Sequence, residues 1–150
     1  MKLKYIIMLS FIFLIMITMV SCIRENYIPD RTPPLISNIA ISYLNTIINT
    51  GQNLNMDITY DASDLRSQIN SIDMVVQLKK PSTITYVDVY NNSINNIDKQ
   101  NYNYDSDIVV NGFHFDEPGD NLVRLQITID DEHKNEYTKT SNESIIVVTE

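Results

Sequence analysis

The chain has 150 residues, with 11 basic against 19 acidic side chains for a formal net charge of −8, a single cysteine, three glycines and no tryptophan. One cysteine excludes an internal disulfide and a cysteine-based zinc site. An acidic chain whose only adjacent basic pair is Lys79-Lys80 excludes phosphate-backbone binding, so no nucleic acid is expected as a partner. The length is enough for one domain with its own core.

The chain opens on Met1-Lys2-Leu3-Lys4, followed by an apolar run from Tyr5 to Val20 broken only by Ser10 and Thr18, then Ser21 and Cys22. Two lysines, an apolar stretch and a small residue before a cleavage point are the parts of an export signal. Met19-Val20-Ser21-Cys22 resembles the end of bacterial lipoprotein signal peptides. The resemblance implies that residues 1–21 form a helical signal peptide and that Cys22 receives a diacylglyceryl group and becomes the first residue of the mature chain. Two other readings stay open: an uncleaved signal anchor, since about 18 apolar residues can span a bilayer, and ordinary cleavage that leaves Cys22 a free thiol. Residues 22–34, with Pro29, Pro33 and Pro34, are expected to form an extended linker, and residues 35–150 the domain. Cleavage removes Lys2 and Lys4, leaving nine basic residues against nineteen acidic ones and a charge of −10. Membrane association is therefore expected from the acyl chains, not from charge.

Beyond the linker, apolar residues recur at every second position. Leu54, Met56, Ile58 and Tyr60 share one face; so do Ile72, Met74, Val76 and Leu78, and again Val123, Leu125, Ile127 and Ile129, with Arg124, Gln126, Thr128 and Asp130 opposite. This is the signature of half-buried antiparallel strands. Shorter strands are predicted over residues 36–43, 84–90, 108–115 and 144–149. Turn signals lie between them at Thr50-Gly51-Gln52-Asn53, Lys80-Pro81-Ser82, Glu117-Pro118-Gly119-Asp120 and His133-Lys134-Asn135. A short helix is placed only at residues 62–70, and the Asn-rich segment 91–107 is read as a long loop with at most one short edge strand. Seven strands at this spacing predict an all-β, antiparallel two-sheet sandwich with Greek-key connections.

Pro118-Gly119, the alternating strand that follows, the acidic pair Asp130-Asp131 and the Lys134-Asn135 turn resemble the end of PKD-type and other bacterial immunoglobulin-like domains. Residues 34–39 before the first strand and Tyr60-Asp61-Ala62-Ser63-Asp64 fit the same pattern. The resemblance spans most of residues 34–149 and implies an immunoglobulin-like sandwich.

No catalytic, cofactor or metal motif stands out. His114, between Phe113 and Phe115, is expected on the exposed face of a strand end, and His133 in a solvated turn; neither has the spacing of a zinc protease or of a triad. An immunoglobulin-like sandwich brings the loops after its second and sixth strands to one end. Asp61, Asp64, Asp130, Asp131 and Glu132 are therefore expected near one another, chiefly as solvated acidic turns, with a weak calcium site as the other reading. The first strand starts at that end too, so the linker is expected to emerge beside these carboxylates. Tyr86 and Tyr90 are predicted to line an exposed sheet face with Asp88, where a sugar could stack or a partner strand could add.

These readings converge on a non-catalytic, lipid-anchored cell-envelope domain for protein contact or spacing, with an unidentified envelope protein as partner. The alternatives are a glycan- or small-ligand-binding module and an accessory or inhibitor subunit of an exported enzyme. Lipoproteins of two-membrane bacteria often carry an aspartate after the cysteine to stay at the inner membrane. Ile23 in that place points to the outer membrane.

Overall fold

The computed structural model describes residues 30 to 150. The signal segment, Cys22 and the linker as far as residue 29 lie outside the described residues. Nine strands follow one another: β1 (Leu35–Tyr43), β2 (Ile47–Asn49), β3 (Leu54–Ser63), β4 (Ile69–Lys79), β5 (Val87–Lys99), β6 (Asn101–Val110), β7 (Gly119–Asp131), β8 (Glu136–Thr140) and β9 (Ser144–Thr149). One sheet has the order β1-β3-β6. The other has the order β2-β9-β7-β4-β5, with β8 added to β7. All pairings are antiparallel except β2 with β9. This is an antiparallel sandwich with immunoglobulin-like strand order.

The three alternating runs meet in one core. Leu54, Ile58, Ile69, Ile72, Val76, Leu78, Val123, Leu125, Ile127 and Ile129 are all fully enclosed, and each such side chain contributes about 1.5–3 kcal/mol. Tyr60, expected in the core, is there: its ring stacks on Tyr104 directly across the sheet at 4.9 Å, and burial pushes its phenol pKa up. Strands β8 and β9 share one lane beside β7, pairing with its two halves in turn. Ser141 bridges the gap: its N–H donates to Leu125 O (2.8 Å), and its hydroxyl accepts from Leu125 N (2.9 Å).

Five of the seven expected strands form at or near their expected bounds; the one over 84–90 begins only at Val87, of the one over 108–115 only residues 108–110 are extended, and β2 and β8 are additional. Segment 91–107 is not a loop. It forms most of β5 and β6, the former along the edge of the larger sheet and the latter paired with β3 over its whole length. Asn96 and Asp98 take left-handed backbone (φ 58° and 49°) where β5 carries two extra residues opposite Ile69 to Ser71. This bulge bends the strand over the edge of the sandwich and turns Ile97 into the core. The predicted strand over 108–115 stops at Val110, because the Asn111 side chain accepts from Phe113 N (3.1 Å) and starts a 3-10 turn at Gly112–His114. Phe115 is then enclosed while Phe113 is exposed, so the two rings do not share a face, and His114 lies half-buried against Phe113. No helix forms over 62–70. β3 runs through Ser63, and Asp64 ends it with a side-chain turn.

On the outer face of the smaller sheet Asp57 stands directly opposite Asp107, with Asp105 near by. Like charges in register repel, and the hydrogen bond to Asp107 holds the Asp57 carboxyl above its usual range. A carboxyl raised in the folded state favours folding at low pH and opposes it once pH passes through the raised pKa. Asp107→Asn is thus expected to raise Tm by roughly 1–3 °C at pH 7 and to leave it unchanged at pH 3. Equal shifts at both pH values in thermal melts would sink this account.

Candidate functional site

The inward rows of two strands run past the last apolar residue onto a carboxylate. In β3 the enclosed series Leu54, Met56, Ile58, Tyr60, Ala62 is continued by Asp64, and in β7 the series Val123 to Ile129 is continued by Asp131. Both aspartates are buried beneath the core, Asp64 at 4% and Asp131 at 0% exposure. A third, Asp30 of the incoming segment, joins them, and one carboxylate oxygen from each lies within 4.8 Å of the others.

Local turn chemistry explains why these residues sit there. Asp64 Oδ1 accepts from Arg66 N (2.9 Å) and Ser67 N (3.1 Å), folding the β3–β4 loop around the side chain. Asp131 Oδ1 accepts from His133 N and Asn135 N, both at 2.8 Å, shaping the β7–β8 turn, where Lys134 takes a left-handed φ of 61°. Asp30 Oδ1 accepts from Thr32 N (2.9 Å), and that bond holds its carboxyl below the usual range. Asn135 Nδ2 donates both to Asp131 Oδ2 (2.7 Å) and to Asp30 O (3.1 Å), tying the incoming segment to the turn. The Ser67 hydroxyl stands 2.8 Å from Asp64 Oδ2 and 3.2 Å from Asp131 Oδ2. It has one proton, so it can donate to only one of the two at a time.

Of the five acidic residues expected at this end, the structure turns only Asp64 and Asp131 inward beside each other, where they are not solvated, while Asp130, Asp131 and Glu132 line a surface pocket with Asn70, Lys134 and Glu136. Asp61 lies on the outer face of the smaller sheet, accepting from Asn38 Nδ2 (2.6 Å) and Asn103 Nδ2 (2.8 Å). Asp130 points to the outer face of β7 and accepts from Ser71 Oγ (2.5 Å), and Glu132 is exposed. Asp30 carries little sequence signal. Its only local signal is the Thr two residues later whose N–H it accepts, and nothing in a proline-bearing linker announces that the segment packs back. The expectation that the linker emerges beside the acidic turns agrees with its position.

The aromatic surface differs from expectation. A one-residue bulge at Val89 places Tyr90 opposite buried Val76, so it packs against the core and does not share a face with Asp88. Tyr102 and Tyr104 also pack on the core. Tyr86 remains at the surface, but the Arg124 guanidinium covers its ring at 3.7 Å and its hydroxyl donates to Glu143. Desolvation, helped by Glu143, leaves the Tyr86 phenol pushed up to about 12. Arg124 Nε in turn donates to Gln77 (2.8 Å) and Gln77 to Asp88 (2.9 Å). The rings are thus engaged within the domain and do not form an open sugar-stacking platform.

No family model and no curated protein matches the chain. Solved structures that resemble it include the sporulation control protein Spo0M from Bacillus subtilis (10% identity, TM-score 0.45), covering 78% of this chain and 49% of that one. A β-glucosidase from Listeria innocua (9%, 0.46) covers 77% and 16%, and a CARDB domain from Pyrococcus furiosus, solved in complex with di-metal ions (12%, 0.41), covers 80% and 97%. The chain thus spans about half the length of Spo0M and about a sixth of the β-glucosidase. With TM-scores below 0.5, none of them lends an activity to this chain, and the fold rests on the strand pairing given above.

Proposed function

We propose that the protein is a lipid-anchored cell-envelope component in which a non-catalytic immunoglobulin-like sandwich is held at the outer membrane for protein contact or spacing. Cys22 is the anchor and the sandwich is the displayed body. The observation that carries the reading is the position of Asp30. It is only eight residues beyond Cys22 and already packed into the base of the domain between the β3–β4 and β7–β8 loops. Seven residues separate Cys22 from Asp30, and seven residues reach at most about 25 Å, so in this reading the sandwich stands close to the bilayer on its Asp64–Asp131 end. The outer edge of β5, thirteen residues long and unpaired on its far side among the described residues, is the edge offered to a partner strand, and its two bulges limit how far such pairing can run.

Intact mass of the protein extracted from membranes of its host, beside a Cys22→Ala variant, tests the anchor. A species starting at residue 22 with added diacylglyceryl mass, absent from the variant together with its membrane association, is the expected result. An uncleaved chain or an unmodified cleaved one would replace the lipid anchor by a membrane-spanning segment or by a freely exported domain.

A further inference from the structure

We propose that Asp30, Asp64 and Asp131 hold a calcium ion that fastens the incoming segment to the base of the sandwich. This goes beyond the anchor reading and does not rest on it, because it concerns residues 30 to 135 whatever precedes them. The first observation is convergence. The three carboxylates offer oxygens within 4.8 Å of one another, and ligand oxygens held at 2.3–2.6 Å by one Ca2+ stand up to about 5 Å apart.

The second observation is independent of that spacing. Asp30 Oδ2 is enclosed and has no hydrogen-bond partner, on a side chain that keeps only 9% of its surface exposed. The Thr32 and Ser67 hydroxyls and the Arg66 charge lie near this carboxyl, but Oδ2 itself accepts no hydrogen bond, and a carboxylate oxygen removed from water without one is unfavourable unless a cation takes the place of the lost water. The other oxygens sharpen the point. Backbone N–H groups occupy the Oδ1 atom of all three residues, and Asp131 Oδ2 accepts from Asn135 Nδ2, which leaves Asp64 Oδ2 with no donor but the single Ser67 proton that Asp131 Oδ2 also faces. Among the described residues no lysine or arginine forms an ion pair with any of the three, and the one cationic charge that acts on Asp30 is that of Arg66, beyond ion-pair distance. The donors are carboxylates and a hydroxyl, the oxygen set of a hard cation, not the nitrogen and sulfur set that zinc prefers. An ion here would join one ligand from the incoming segment, one from the end of β3 and one from the end of β7, with Ser67 and water completing the shell.

The test uses the full-length protein in detergent, stripped of metal with a chelator and titrated with CaCl2 by calorimetry, then melted with and without 10 mM Ca2+. One saturable event with a Kd of roughly 0.1–1 mM is expected, as for extracellular calcium modules, with a Tm several degrees higher in calcium. In Asp30→Asn, an isosteric change outside every strand, both responses vanish while the metal-free Tm is unchanged or higher. Asp61→Asn, at a carboxylate outside the trio, keeps both. In the unsubstituted protein calcium also slows tryptic cleavage after exposed Arg31 several-fold. Absence of saturable heat up to 10 mM calcium, an equal response to Mg2+, or a calcium response undiminished in Asp30→Asn would each overturn the site.

Discussion

Gly112→Ala is expected to destabilise the sandwich by about 3 kcal/mol, the upper end of what overpacking costs. A Cβ built on Gly112 falls 1.9 Å from Gly51 O, 2.4 Å from Gly51 C and 2.7 Å from Gln52 C. All three are backbone atoms, which cannot swing aside as the tip of a side chain can. The contact is also tied on both sides: Gly112 N donates to Asn53 Oδ1 (2.7 Å) and Gly51 N to Phe115 O (2.9 Å). The β2–β3 turn therefore presses directly on the segment joining β6 to β7, and relief requires separating two chain crossings that close the same end of the sandwich. Gly51 is the internal comparison. Its Cβ would meet nothing within 4 Å, but its φ of +79° is left-handed, so Gly51→Ala should cost only about 1 kcal/mol. Urea unfolding of both variants decides the matter, and equal losses would contradict the close approach.

The core and much of the base were legible in the sequence for the same reason. Period-two alternation identifies Leu54 to Tyr60 and Val123 to Ile129 as inward rows, and the same count continued by one or two steps reaches Asp64 and Asp131. The rule that places isoleucines in the core thus places two carboxylates under it. Asp30 escaped this logic because it lies ahead of the first strand, between Pro29 and Pro33, and its burial comes from that segment packing back on the domain, which no local period encodes. Segment 91–107 hid for a different reason. Its inward positions, among them Ile94, Tyr102 and Tyr104, pack on the core, but the Asn, Asp and Ser between them dilute the pattern, and Asn96 and Asp98 adopt the left-handed turns that glycine usually marks. The misplaced Tyr90 has a similar source, since one extra residue at Val89 reverses which face every later side chain takes. The proposed anchor at Cys22 lies outside the described residues and rests on the sequence pattern alone, so strand pairing adds nothing to it.

Ile127→Ala is expected to lower stability by about 3–4 kcal/mol and Tm by roughly 10–15 °C, since a large side chain removed from a packed core loses its transfer energy and leaves a cavity. Ile127 has no exposed surface and sits in β7, which pairs with β4 on one side and with β8 and β9 on the other. Its neighbour across the sheet is Met74, itself enclosed, so little can collapse into the space. Val109→Ala provides the contrast: Val109 is 52% exposed in β6 and should change stability by less than about 0.5 kcal/mol. A loss below about 1 kcal/mol at Ile127 would mean that the two sheets are not packed face to face on this row. The same strand carries Asp131 two inward positions further on, so the defect lies on the support of the base. If β7 is the rigid element that positions the aspartates, the Ile127→Ala protein should still fold in the cold yet bind calcium more weakly than the unsubstituted chain. Undiminished affinity would place the rigidity of the base in its turns alone.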